Sequence, residues 1–122
     1  MQHTILVFDD DEDILTLCKI IFEKLNYRLE TRARSENILE DLKKVKPNLI
    51  LMDLRIPAIG GEKAIELFKN DPTTADIPVI LFSANPEIEK IAALVKANGF
   101  LRKPFDIGDL LFMVQSHFRV EI

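Results

Sequence analysis

A chain of 122 residues, 48% apolar and 30% charged with only four glycines, has the size and composition of one globular domain, which excludes a disordered, collagen-like or low-complexity chain. The formal net charge is -4 and no more than two Lys or Arg stand side by side, so the cationic footprint of a nucleic-acid binder is missing. No apolar run approaches the roughly 18 residues of a membrane span, and "MQHT" lacks the basic start of a signal peptide; a cytoplasmic location, with neither nucleic acid nor membrane as partner, is the expectation.

In chain order, short apolar runs alternate with helical patterns. Ile5 to Phe8 reads as a strand buried on both faces. Ile14, Leu17, Cys18, Ile21, Phe22 and Leu25 then line one face of a helix from about Glu12 to Leu25. Cys18, the only cysteine, can form neither an internal disulfide nor a Cys-based metal site and reads as core. A weaker strand, Tyr27 to Thr31, precedes a second helix with Ser35 as its expected N-cap and Ile38, Leu39, Leu42 and Val45 as its apolar face. Leu49 to Met52 is the third strand; Ala64, Ile65 and Phe68 mark a third helix, stopped at Asn70 to Pro72. Val79 to Phe82 is the fourth strand, followed by a helix on Ile88, Ile91, Ala92 and Val95, opened by Asn85 and Pro86 and closed by Asn98-Gly99. A short strand at Phe100 to Arg102 leads to a last helix opened by Asp106, with Ile107, Leu110, Leu111, Val114 and Phe118 as its stripe.

Strand followed by helix, five times, predicts right-handed crossovers and an α/β fold: a five-stranded parallel sheet with helices on both faces. The common open solution is the flavodoxin-like order 2-1-3-4-5, with its ligand site at the carboxyl ends of strands one and three, where the winding reverses. Asp9 and Asp10 end the first strand, Asp53 the third, Ser83 the fourth and Lys103 the fifth. A packed core does not require polar groups at all of these ends. Clustered carboxylates raise one another's pKa, and an oxygen-only set without His or Cys favours Mg²⁺ as the compensating ion. Asp9 and Asp10 are therefore assigned to a metal, while Asp11, Glu12 and Asp13 belong to the first turn of the helix and favour its positive end. Mg²⁺ commonly bridges carboxylates and phosphate oxygens, so a phosphoryl group is the natural substrate.

The blocks "VFDDDED", "LILMDLRIP", "LFSA" and "LRKPF", in this order and spacing, closely resemble the receiver domain of two-component response regulators, and the likeness runs over essentially all of residues 1–122. The resemblance implies a phosphoacceptor switch. Asp53 would take a phosphoryl group from a phosphohistidine on a histidine kinase or histidine phosphotransfer protein. Asp10 and Asp53, with the backbone carbonyl of Arg55, would bind Mg²⁺ directly, and Asp9 through water. Lys103 would pair with the acceptor carboxylate and then with the phosphoryl group, and the Lys103-Pro104 bond would be cis. Ser83 would donate its hydroxyl to the phosphoryl group, Phe100 would swing inward in response, and Arg55 and Asn85 would influence the acyl-phosphate lifetime. The loop Pro57-Ala58-Ile59-Gly60-Gly61 departs from the Pro-Gly-Met-Asp-Gly pattern of many relatives, losing an acid while keeping a glycine.

Because the chain stops soon after the fifth helix, a receiver without an output domain is expected, acting through a downstream protein partner, with Phe112 as a candidate exposed aromatic beside the fourth helix and fifth strand. His3 and His117 read as surface residues away from the site. Two readings compete with this one, the first of them on the same fold. One is a protein-binding module that is never phosphorylated. The other is a Mg²⁺-dependent phosphohydrolase of the haloacid-dehalogenase type, whose Asp-x-Asp-x-Thr/Val motif Asp9 to Asp13 fits only in part and whose substrate cap has no room here. On the leading reading the chain is no enzyme beyond its own phosphorylation and dephosphorylation.

Overall fold

The structure, a computed structural model, describes residues 2–118. Five strands, β1 (Thr4–Phe8), β2 (Arg28–Arg32), β3 (Leu49–Asp53), β4 (Val79–Ser83) and β5 (Gly99–Arg102), alternate with five helices, α1 (Glu12–Lys24), α2 (Ile38–Val45), α3 (Gly60–Lys69), α4 (Ile88–Val95) and α5 (Ile107–Phe118). The sheet is parallel throughout, in the expected order β2-β1-β3-β4-β5. All residues of β1, β3 and β4 are buried, whereas both edge strands are half-exposed. That difference explains why the three central strands read as continuous apolar runs and the edges do not.

Alternation along the central strands divides the core into two layers. Leu6, Phe8, Ile50, Met52, Val79 and Leu81 pack under α2, α3 and α4, with Ile38, Leu42, Ile65, Phe68 and Ile88. Ile5, Val7, Leu49, Leu51, Ile80 and Phe82 face α1 and α5, with Cys18, Phe22, Leu110 and Val114. Cys18 is fully buried, as expected. The outer edge of β2 carries Arg28, Glu30 and Arg32 in a ladder of ion pairs continued to Asp41, a charged edge that resists pairing with a further strand.

Helix ends show where local reading failed. Asp11 caps α1 as its acidic type suggests, accepting from the Asp13 and Ile14 amides, and Asp106 Oδ1 accepts from the Asp109 amide at the start of α5 at 2.8 Å. Ser35, the expected cap of α2, is not one: the cap position is Asn37, without a side-chain bond, and the Ser35 hydroxyl is used elsewhere. Asn85 and Pro86 stand in a turn ahead of α4, which begins two residues after Pro86. The same helix is closed by Lys96 in a left-handed conformation, φ 60°. Asn98 instead exchanges bonds with Val79 at the start of β4, its amide donating to the Val79 carbonyl at 2.8 Å and its side-chain oxygen accepting from the Val79 amide at 3.0 Å. A strand start needed those groups more than a helix end did.

Two loops generate predictions. Asp71, after α3, accepts from the Thr73 hydroxyl and amide at 2.7 and 2.9 Å and pairs with Lys43 of α2 at 3.0 Å. The Thr73 bonds, with Lys43, hold its carboxyl down at about 2. A carboxylate with a depressed folded pKa stabilises above its unfolded value and loses that contribution as pH falls through the folded one. Asp71→Asn is therefore expected to lower the melting midpoint at pH 7, and the difference from the parent is expected to vanish on acidification from about 4 through about 2, read by thermal denaturation across that range. Gly61 opens α3 directly over the end of β3: a Cβ there would lie 2.7 Å from the Asp53 carbonyl oxygen and 2.9 Å from Leu54 Cα. The Asp53–Leu54 backbone cannot yield cheaply, so Gly61→Ala is expected to cost about 1–3 kcal/mol in a denaturant titration.

Candidate functional site

Register brings the predicted polar residues to one rim. Phe8 pairs with Met52, so Asp9 follows β1 at the level of Asp53; Asp53 pairs with Phe82, and Ser83 with Arg102 just before Lys103. The Lys103 amide donates to the Ser83 carbonyl at 2.9 Å, which carries the end of β5 to the crevice. Asp9, Asp10, Asp53, Arg55, Ser83, Asn85 and Lys103 all line an open cleft of about 620 Å³. Phe100 is not among its lining residues; it sits half-buried on β5 with the Arg102 guanidinium 5.6 Å from its ring centre.

Lys103 is the hub. Its Nζ donates to Asp9 Oδ2 at 3.0 Å and to Asp53 Oδ1 at 3.1 Å. The sequence suggested the Asp53 pairing but not the bridge to Asp9. Asp9 is fully buried, Asp53 nearly so, and Asp10 is exposed. Burial pushes the Asp9 carboxyl up, against the Asp11 amide that donates to it at 2.9 Å and the Lys103 ammonium. For Lys103, burial alone would lower the ammonium, but the bonds and charges of Asp9 and Asp53 together win and raise it. Cys18 lies close enough to feel the Asp9 charge; burial first, then that charge, pushes its thiol up to about 12, which makes it inert.

One oxygen each of Asp9, Asp10 and Asp53 lie within 4.8 Å of one another. Three carboxylates against one ammonium leave two negative charges uncompensated, the charge of one divalent cation, and the donors are all oxygen. A hard ion such as Mg²⁺ fits that set. The Ser83 hydroxyl accepts from the Asn85 amide at 2.9 Å and lines the same cleft. Lys103-Pro104 is cis, as the resemblance implied.

Outside the cleft, Phe112 is 69% exposed on α5 and Leu94 is 74% exposed on α4, so Phe112 is the exposed aromatic the sequence suggested. His3 and His117 are half-buried rather than free on the surface, and His3 stacks on Phe118 at 4.1 Å. Among the described residues no helix is long and apolar enough to cross a membrane. Ser35, expected as a helix cap, is fully buried and bonded to Pro57 and Ile59 in the β3–α3 loop; a serine followed by a helical pattern gives no signal of a partner more than twenty positions away.

The chain is 32% identical over 117 residues, 94% of its length, to the DNA-binding dual master transcriptional regulator RpaA of Synechocystis, of which it spans 48%. It spans about half or less of the curated relatives it matches. Its fold superposes on the chemotaxis response regulator CheY4 of Vibrio cholerae with a TM-score of 0.87 at 23% identity, covering 96% of this chain and 99% of that one. The receiver domain of the sensor histidine kinase PA1611 of Pseudomonas aeruginosa, solved with magnesium coordinated in its active-site cleft, gives 0.84 at 23% identity over 95% of this chain and 97% of that one. The sheet order, the acids at its carboxyl edge and a family model matching residues 5–115 agree: this chain belongs to the response regulator receiver domain family.

Proposed function

We propose that residues 1–122 form a single receiver domain that works as a phosphoacceptor switch, with Asp53 as the acceptor. The observation that carries this reading is the Lys103 ammonium held between Asp9 and Asp53 at 3.0 and 3.1 Å, beside an exposed Asp10. It gives the acceptor carboxylate a cation that can follow the transferring phosphoryl oxygens.

The donor is a phosphohistidine on a histidine kinase or histidine phosphotransfer protein. An oxygen of Asp53 attacks phosphorus, the P–N bond breaks with its electron pair going to the imidazole nitrogen, and an acyl phosphate forms. Catalysis of this transfer is mostly positioning and charge neutralisation. The Lys103 ammonium, already on Asp53, donates to a phosphoryl oxygen. Ser83, whose oxygen accepts from the Asn85 amide, turns its proton to a second one. The Asp10 and Asp53 carboxylates and the Arg55 carbonyl, supported by Asp9, would hold Mg²⁺, which would supply positive charge against the phosphoryl group. Hydrolysis of the acyl phosphate resets the domain, with Arg55 and Asn85 at the cleft mouth controlling access of water. In signalling, engagement of Ser83 draws it toward Asp53 and Phe100 moves inward, a shift between two packings that alters the face read by a downstream protein partner.

Incubating the protein with acetyl phosphate and Mg²⁺ is expected to add one phosphoryl group by intact mass, and Asp53→Asn is expected to abolish the addition. No addition to the parent chain, or an addition that survives Asp53→Asn, leaves the protein-binding module as the better reading, while turnover of small phosphate esters would favour the phosphohydrolase. Mg²⁺ at 100 times its dissociation constant is expected to stabilise the fold by about 2.7 kcal/mol. Asp10→Asn is expected to remove most of that gain, and chelation to reverse it, both read as shifts of the melting midpoint.

A further inference from the structure

The β3–α3 loop runs from the acceptor Asp53 through Arg55, which lines the cleft, to α3. Its base is tied down by the Leu54 amide donating to the Phe82 carbonyl at 2.9 Å and the Gly61 amide donating to the Leu54 carbonyl at 3.0 Å. Its tip has no such ladder, and there Ala58 stands at φ 87°, a left-handed conformation that its Cβ disfavours. A residue held there needs surroundings that over-determine it.

Those surroundings centre on one hydroxyl. Ser35 Oγ donates to the Pro57 carbonyl at 3.0 Å and accepts from the Ile59 amide at 3.2 Å, and the Ser35 amide donates to the same Pro57 carbonyl at 3.1 Å. The two loop groups it engages flank Ala58 on either side. Ser35 is fully buried, so water cannot substitute for it. We propose that Ser35 is a positioning residue for the phosphoacceptor reaction: its hydroxyl clamps the peptide groups on both sides of Ala58, holding the strained loop that presents Arg55 beside Asp53. The inference rests on the phosphoacceptor reading of Asp53 and adds to it a determinant on β2–α2, outside the cleft.

Without the hydroxyl, the Ile59 amide loses its acceptor, and Ala58 is free to relax to negative φ, carrying Arg55 with it. A glycine at 58 has no such preference, so it should hold the loop's path without the clamp. The test compares the parent, Ser35→Ala, Ala58→Gly and the double variant in the intact chain. Two quantities are read well below the melting midpoint: the rate of Asp53 phosphorylation by acetyl phosphate as Mg²⁺ is titrated, and deuterium uptake by peptides covering residues 54–61. Ser35→Ala is expected to slow phosphorylation about tenfold, the worth of one hydrogen bond, to raise the Mg²⁺ needed for half-maximal rate, and to speed uptake in that segment. Adding Ala58→Gly is expected to recover most of the rate, which a merely structural serine would not explain.

An unchanged rate in Ser35→Ala, or a slowed rate that Ala58→Gly does not restore, overturns the proposal. If Ser35→Ala does not fold, the double variant decides: folding with near-parent phosphorylation supports the clamp, and failure to fold shows that Ser35 holds the chain as a whole and overturns it. A parent chain that takes no phosphoryl group defeats the phosphoacceptor reading instead, and the deuterium uptake then still reports whether the clamp holds the loop.

Discussion

Two carboxylates buried at the carboxyl edge of a parallel sheet, with one ammonium between them, set the terms for the rest of this molecule. Asp9 and Asp53 lose water on folding, and without Lys103 the two negative charges would be left facing each other in a medium that screens them poorly. Bonds of 3.0 and 3.1 Å from one Nζ offset much of that repulsion. They do not neutralise it, because Asp10 joins the cluster and Asp9 is still driven toward its protonated form by burial. A fold that keeps such residual negative charge is poised to gain from whatever supplies positive charge, a divalent ion above all.

The geometry that delivers this arrangement belongs to the sheet and its loops together. In a parallel sheet all carboxyl ends lie on one edge, and the order β2-β1-β3-β4-β5 places the acids of β1 and β3 side by side with the hydroxyl of β4 and the ammonium beyond β5 next in line. Close backbone approach then matters more than side chains. Gly61 is required because α3 starts against the peptide that follows Asp53, leaving less than 3 Å for a Cβ. Ala58 takes a conformation better suited to glycine, and the cost is met by the Ser35 hydroxyl reaching across from the β2–α2 loop. Strain at one residue is thus tied to a contact on a neighbouring crossover.

Two exposed apolar side chains lie beside the fifth strand. Leu94 and Phe112 lie on α4 and α5, on either side of β5, whose Phe100 is half-buried and roofed by Arg102. The strand pair β4–β5 joins that face to the cleft, with the Lys103 amide donating to the Ser83 carbonyl at 2.9 Å.

Much of this was legible in the residues alone. The three central strands, fully buried, could be recognised because burial on both faces demands unbroken apolar runs such as Leu49 to Met52; the helices between them showed apolar stripes because each covers one face of the sheet. Alternation of the two implied the parallel order, and the order implied that Asp9, Asp10, Asp53, Ser83 and Lys103 meet. What the linear chain could not express was the choice among partners of similar local merit. Ser35, Asn85 and Asn98 all sit where helix caps belong, and each is used otherwise: Ser35 on a loop more than twenty residues ahead, Asn85 in a turn before α4, Asn98 on the first residue of β4. Lys103 likewise could have reached one carboxylate or two. Hydrophobic periodicity is a property of each segment and survives in the sequence, whereas the destination of a polar side chain depends on which unpaired group the folded neighbours bring within 3 Å, and only packing in three dimensions decides that.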